Sequence, residues 1–303
     1  MPLQYGMQLP IQAQSTYFVE PWDRAADRSE LAAVVRACEA AGFWYVAVCD
    51  HVAIPRDKAD AMSTTWFDTI ATLSWIAGFT EKVRLLSHVY VPAYRHPLAV
   101  AKAWATLDFL SGGRAVLGVG SGHVEAEFEA LGVDFHERGR LTDEAIDKVR
   151  LYLADEWAAG DLGQRPRPVN LGGVPIWVGG SSKAAIRRAA TRGDGWLPQG
   201  TPKKEMPAAI ESIREQRDAL GRTGRFTIGA ITPFFWIGEK TWDTGDGCLA
   251  GTPERIAGYL QGYADMGVDQ VQVRFRSRSR IELCDQIAKF GATVAPLLDA
   301  EES

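Results

Sequence analysis

The chain has 303 residues, of which 46% are hydrophobic and 23% charged, with a formal net charge of −5. That length suits one large α/β barrel or two ordinary domains, and the composition is that of a globular protein. The acidic balance offers nothing to nucleic acid or to an anionic membrane surface, and no stretch approaches 18 uninterrupted apolar residues.

The four cysteines, Cys38, Cys49, Cys248 and Cys284, are widely spaced and form no CxxC pair, which argues against a zinc knot or a thioredoxin-type site. The opening MPLQYGMQLPIQ lacks the basic segment and long apolar run of a signal peptide. The expectation is a cytoplasmic protein with reduced thiols.

Short apolar runs alternate with helical patterns along the whole chain. Residues 7–12 read as a first strand. In 29–41, Leu31, Val34, Val35 and Cys38 share one helical face and Gly42 is the stop. WYVAVC is a second strand that ends at Asp50, and 66–79 a helix. VRLLSHVYV is a third strand, and Pro97 opens a helix to residue 110. AVLGV is a fourth strand, followed by a Glu-rich amphipathic stretch and a helix over 142–159 started by Thr142.

The second half keeps the rhythm. PIWVG is a strand and 182–191 a helix; GWLPQ is a strand and 205–220 a helix; FTIGAITPFFWI is a strand and 252–266 a helix. VDQVQVRF is the eighth strand, and the last helix sets Leu283, Ile287, Phe290 and Val294 in register. Eight strand–helix pairs with no domain-sized break favour a single (β/α)8 barrel domain over 1–303.

Barrel active sites lie where the strands end. Strand 2 ends in Asp50-His51, strand 3 contains Ser87-His88, strand 4 leads to Gly120, Ser121, Gly122 and His123, and strand 5 leads to Gly179, Gly180, Ser181 and Ser182. Three of the five histidines therefore fall on one face. The alternative for each is a hydrogen-bonded histidine or a cap. A catalytic metal is not expected, because there is no HExxH and no HxH on strand 1.

GVGSGH departs from the GxGxxG of a dinucleotide fold, since its third glycine comes one residue early, and no acidic residue follows at the required distance. GGSSKAAIRRAA is the better phosphate cradle: Gly179 and Gly180 admit close backbone approach, and Ser181 and Ser182 open a helix whose free amides favour an anion. A tight turn with a serine cap is the alternative. The loop at Gly120 and Gly122 would then clear space for a flat ring. Arg274, Arg276, Arg278 and Arg280 alternate after strand 8; they could bind a substrate anion, since barrels often hold phosphate there, but a charge run is more often a solvated edge and they are read as one.

Four segments, ACEAAGFWYVAVCDHVAIP, GRAVLGVGSGHVEAEFEALGVDFHERGRLTDEAI, PIWVGGSSKAAIRRAATRGDGW and GTPERIAGYLQGYADMGVDQVQVRF, stand in this order. With them the chain resembles the luciferase-like monooxygenase superfamily, and most closely its coenzyme F420-dependent oxidoreductases. The resemblance implies a (β/α)8 barrel, commonly a homodimer, and a deazaflavin or flavin at the C-terminal face. It implies that Gly179 to Ser182 hold the cofactor phosphate and that Asp50 and His51 sit beside the ring. It also implies a non-proline cis peptide at Ser87-His88. Ser121 stands where the sugar-phosphate dehydrogenase branch has a glutamate, and His123 where many deazaflavin enzymes have tryptophan.

The function expected is hydride transfer between F420 and a small organic molecule, with His51 moving the matching proton and Asp50 orienting its ring. Ser87, His88, Gly120, Gly122 and His123 are expected to contact the cofactor. An FMN-dependent monooxygenase and a non-catalytic flavin-binding protein are the alternatives.

Overall fold

The computed structural model describes residues 2–16, 19–170 and 172–299. Its strands are β1 (Gln4–Gln8), β2 (Tyr45–Val48), β3 (Arg84–Ser87), β4 (Ala115–Val119), β5 (Ile176–Gly179), β6 (Gly195–Leu197), β7 (Thr227–Ile237), β8 (Cys248–Gly251) and β9 (Gln270–Phe275). Every pairing between them is parallel. The order β6-β5-β4-β3-β2-β1-β9-β7 closes on itself through β6–β7, so eight strands form a barrel with helices between them. This is the (β/α)8 architecture expected.

The strands read as near-continuous apolar runs because both of their faces are buried. Tyr45, Ala47, Leu86, Val116, Trp177 and Leu197 pack together inside the barrel. Their chain neighbours Val46, Val48, Leu85, Ala115, Leu117 and Val178 belong to the outer core with the helices, as the two-residue period of a strand requires. Inside, Trp44 stacks on Trp177 with ring centres 5.5 Å apart. Each buried aromatic or branched side chain contributes about 1.5–3 kcal/mol through loss of water contact.

Helix ends follow local chemistry. Asp27 accepts from the amides of Ser29 and Glu30 and opens Arg28–Ala40. Gly112, at φ 69°, ends Pro97–Ser111. Two expectations are corrected. The helix expected over 142–159 spans Arg138–Ala154, and Thr142 is no cap: its hydroxyl donates to the Arg138 carbonyl one turn back. A ninth strand was not anticipated. β8 pairs with the far end of β7 from Phe234 to Ile237, on the edge that β6 leaves after Ile228. Four half-buried residues carry too little periodicity to reveal it. No helix among the described residues is long and apolar enough to cross a membrane.

Candidate active site

At the C-terminal end of the strands two adjoining cavities, of about 350 and 480 Å³, share His123 and Gln199 in their walls. The smaller one is lined by Asp50, His51, His88, Gly120, Gly122, His123, Gly179 and Gly180, together with Trp66 and Val89. Among the residues singled out in the sequence, Ser87, Ser181 and Ser182 line neither cavity. Ser87 is buried and donates to the Gly118 carbonyl at 2.8 Å. The Ser181 hydroxyl ties two loops together: it donates to the Gln199 carbonyl at 2.6 Å and accepts from the Gln199 amide and from Thr201. Ser182 caps Lys183–Arg192 by accepting from the Ala185 amide.

His51 is held by a residue the sequence reading passed over. Its Nδ1 lies 2.8 Å from Oε2 of Glu127. Glu127 is 2% exposed and also accepts from the amides of Val52 and Ala53, at 2.6 and 3.2 Å, and from the Tyr94 hydroxyl. Burial alone would raise its pKa, but the hydrogen bond and charge of His51 and the two amides outweigh that and hold it below the ordinary value. An ionised carboxylate only accepts, so Nδ1 carries a proton in either state of the ring; whenever the ring holds a single proton, Nε2 is a lone-pair base, with no partner among the described residues. The ring packs against Trp66 at 4.3 Å and edge-on to His123 at 5.4 Å between centres. Partial desolvation and the neighbouring His51 push the His123 pKa down.

Asp50 does not orient His51, contrary to expectation. Successive side chains of a strand diverge, and the Asp50 carboxylate turns to Arg95, which reaches both of its oxygens at 2.7 and 2.8 Å. The Val91 amide and the Thr69 hydroxyl complete its partners. Glu127 lies on the short helix Glu125–Ala130, and only packing places it there. Phe128 sits 4.8 Å from the Tyr94 ring and 5.4 Å from Phe135. Gly122, at φ 73°, leaves room for it, since a Cβ there would come within 2.9 Å of the Phe128 ring. The one signal in the sequence was a glutamate beside a phenylalanine in an otherwise exposed EAEFEA stretch.

The non-proline cis peptide is present, one bond later than expected, at His88-Val89. Val89 explains the glycines around it. A Cβ on Gly120 or on Gly179 would each come within 2.4 Å of a Val89 methyl. Gly118 is hemmed by the Ser87 carbonyl, 2.0 Å from where its Cβ would be. These glycines make room for protein, and a ring or phosphate is not needed to account for them. His88 is buried, with Nδ1 2.6 Å from Oε1 of Gln272 and Nε2 without a partner. Burial pushes its pKa down, so it is neutral.

The reading of the arginines at and after the end of β9 is also corrected. Arg274 and Arg276 are half-buried and only Arg278 is fully at the surface. Arg274 lines the larger cavity, and Arg276 pairs with Glu20 at 2.9 Å. Among the described residues no group of three His, Cys, Asp or Glu is placed to hold a metal ion.

The profile of the luciferase-like monooxygenase family matches residues 4–241. The chain belongs to that family. Among luciferase-like relatives, an uncharacterised protein of Mycobacterium tuberculosis is 30% identical over 217 residues, 66% of this chain and 75% of the relative. A 5,10-methylenetetrahydromethanopterin reductase of Methanolobus tindarius is 30% identical over 160 residues, 51% of this chain and 49% of the reductase. Two solved structures share the luciferase-like fold. The coenzyme F420-dependent tetrahydromethanopterin reductase of Methanopyrus kandleri matches with a TM-score of 0.73, at 20% identity over 98% of this chain and 99% of that one. A riboflavin lyase with modified FMN matches with a TM-score of 0.79, at 14% identity over 99% and 92%.

Proposed function

We propose that this luciferase-like protein is an F420-dependent oxidoreductase that moves a hydride to or from a carbon bonded to oxygen in a small organic substrate. The observation that carries the reading is the His51–Glu127 pair, which leaves a basic nitrogen at a cavity able to take a flat ring. Hydride loss from an alcohol carbon leaves a proton on oxygen to be removed, and the reverse reaction needs one supplied. His51 Nε2 takes or returns that proton. Glu127, ionised and buried, stabilises the imidazolium and fixes the tautomer. The cofactor, when bound, supplies the hydride chemistry.

The residues present fit a deazaflavin. Val89 and Trp66 offer apolar walls. The buried Nε2 of His88 is an unpartnered acceptor suited to a ring N–H. Gly180, Ser181 and Ser182 lead into Lys183–Arg192, whose first amides lie beyond the reach of intrahelical bonding and suit a phosphate. The methanopterin reductase relatives support F420 over FMN. A cytoplasmic homodimer is the form in which this reading expects the enzyme to work.

A titration of the purified protein with F420 and with FMN tests the assignment. Micromolar or tighter binding of F420 and weaker binding of FMN is expected. Tight FMN binding with no response to F420 would replace it with an FMN-dependent monooxygenase.

A further inference from the structure

The larger cavity holds a positive charge that no carboxylate among the described residues pairs with. Arg274, near the end of β9, stands half-buried in its wall. Its Nε and Nη2 both donate to the Thr232 carbonyl, at 2.9 and 2.6 Å, and its guanidinium lies 4.6 Å from the Phe234 ring centre. Nη1 has no hydrogen-bond partner and no carboxylate pairs with Arg274 among the described residues. Burial and the neighbouring Arg276 push its pKa down, the direction of a cation lacking a counter-ion.

Two carboxyls face the same cavity, and neither supplies that counter-ion. Glu20 is taken by Arg276 at 2.9 Å. Asp23 is 1% exposed and accepts from the Glu20 amide at 3.2 Å, while its Oδ1 has no partner. Burial first, with repulsion from Glu20 and Glu30, pushes the Asp23 carboxyl up to about 7, so much of it is neutral in the physiological range. With Glu20 and Arg276 cancelling, Arg274 is left without a counter-ion among the described residues that line the cavity. Trp22, Ile231, Phe234 and Leu283 give the cavity apolar wall, beside neutral polar groups such as Gln272 and Ser277.

A charge removed from water is costly unless it is paired, and a guanidinium flanked by aromatic and aliphatic surface matches a carboxylate on an apolar body. We propose that this cavity binds the substrate as an apolar carboxylate, with Arg274 as the seat of the carboxylate. The proposal rests on the oxidoreductase reading for the word substrate; the anion seat itself rests on the geometry of the cavity. Since His123 and Gln199 belong to both cavities, a molecule seated at Arg274 borders the His51–Glu127 site.

Calorimetric titration of the purified protein, without cofactor, with 2-naphthoate and with 2-naphthamide isolates the charge from the body. The acid should bind at least about tenfold more tightly than the amide. In Arg274→Gln that ratio should fall towards one while amide affinity is kept. Arg274→Lys, which retains the charge, should keep part of the preference and covers the case in which the glutamine variant does not fold. Equal affinities in the unmodified protein, or no measurable binding of the acid, overturns the proposal. So does a preference that survives in a folded Arg274→Gln. Repeating the acid titration at saturating F420 separates the two sources of anion: retained binding supports a substrate seat, whereas loss of the site assigns Arg274 to the cofactor's own phosphate. Failure of F420 to bind at all would overturn the F420 reading and leave the acid preference standing.

Discussion

Replacing Glu127 by glutamine keeps the shape of the site and removes its charge. A glutamine carbonyl in the place of Oε1 still accepts from the amides of Val52 and Ala53. The amide nitrogen then falls where Oε2 accepts from His51 and Tyr94, and a donor meets two donors. Tyr94 escapes by rotating its hydroxyl. His51 escapes only by moving its proton to Nε2, which removes the lone pair that faces the cavity. Hydrogen bonds to a charged group contribute about 1.5–3 kcal/mol each, so one or two lost bonds predict roughly 1.5–6 kcal/mol of destabilisation at neutral pH. Turnover should fall roughly 10²–10⁴-fold, the range for a misplaced proton-transfer group, with F420 affinity little changed. Because the folded pKa of Glu127 lies below its ordinary value of 4.5, its charge stabilises the fold fully above that value and the benefit fades as pH falls through the lower folded pKa. Urea unfolding of both proteins at pH 7 and at successively lower pH should therefore show a gap that closes in acid. Nitrogen-15 NMR of the His51 ring reports the tautomer directly. An Nδ1–H tautomer that persists in Glu127→Gln, with unchanged turnover, would refute the pairing as the source of the base.

His51→Ala should cut turnover by roughly 10²–10⁴-fold and leave F420 binding nearly intact; a loss of affinity with turnover preserved at saturating F420 would make His51 a binding residue instead. Gly179→Ala drives a methyl to within 2.4 Å of Val89 and should destabilise by about 1–3 kcal/mol. Adding Val89→Ala should recover part of that loss, and strict additivity in thermal melts would show that the contact is not the cause. Arg95→Ala leaves the Asp50 carboxylate, 2% exposed, without its cation and should cost about 3–5 kcal/mol in chemical denaturation. A cost under about 1 kcal/mol would rank the pair with exposed salt bridges.

The strand–helix alternation was legible because it is local. A strand buried on both faces has to be apolar at every position, and a helix that covers it shows its own period, so YVAV, RLLS and AVLGV announce themselves without knowledge of their neighbours. The strand ends were legible for the same reason, and they brought His51, His88 and His123 to one cavity as expected. β8 escaped because it borrows its order from β7 and has little pattern of its own.

Partnership was decided elsewhere. Asp50 is adjacent to His51 in sequence yet serves Arg95, 45 residues away, because neighbouring side chains on a strand point apart. His51 finds its carboxylate 76 residues on, in Glu127, because Gly122 and the Phe128 packing turn one particular glutamate of a Glu-rich stretch inward. Gly120 and Gly179 read as room for a cofactor, but in the folded chain the Val89 side chain fills that room. Arg274 looked like one of four solvated arginines until the apolar wall around it closed. Sequence alone determined which segments are strands and helices, since hydrophobic period is a property of a few consecutive residues. Which polar group meets which depends on distances across the barrel mouth, and those distances exist only after the barrel has closed.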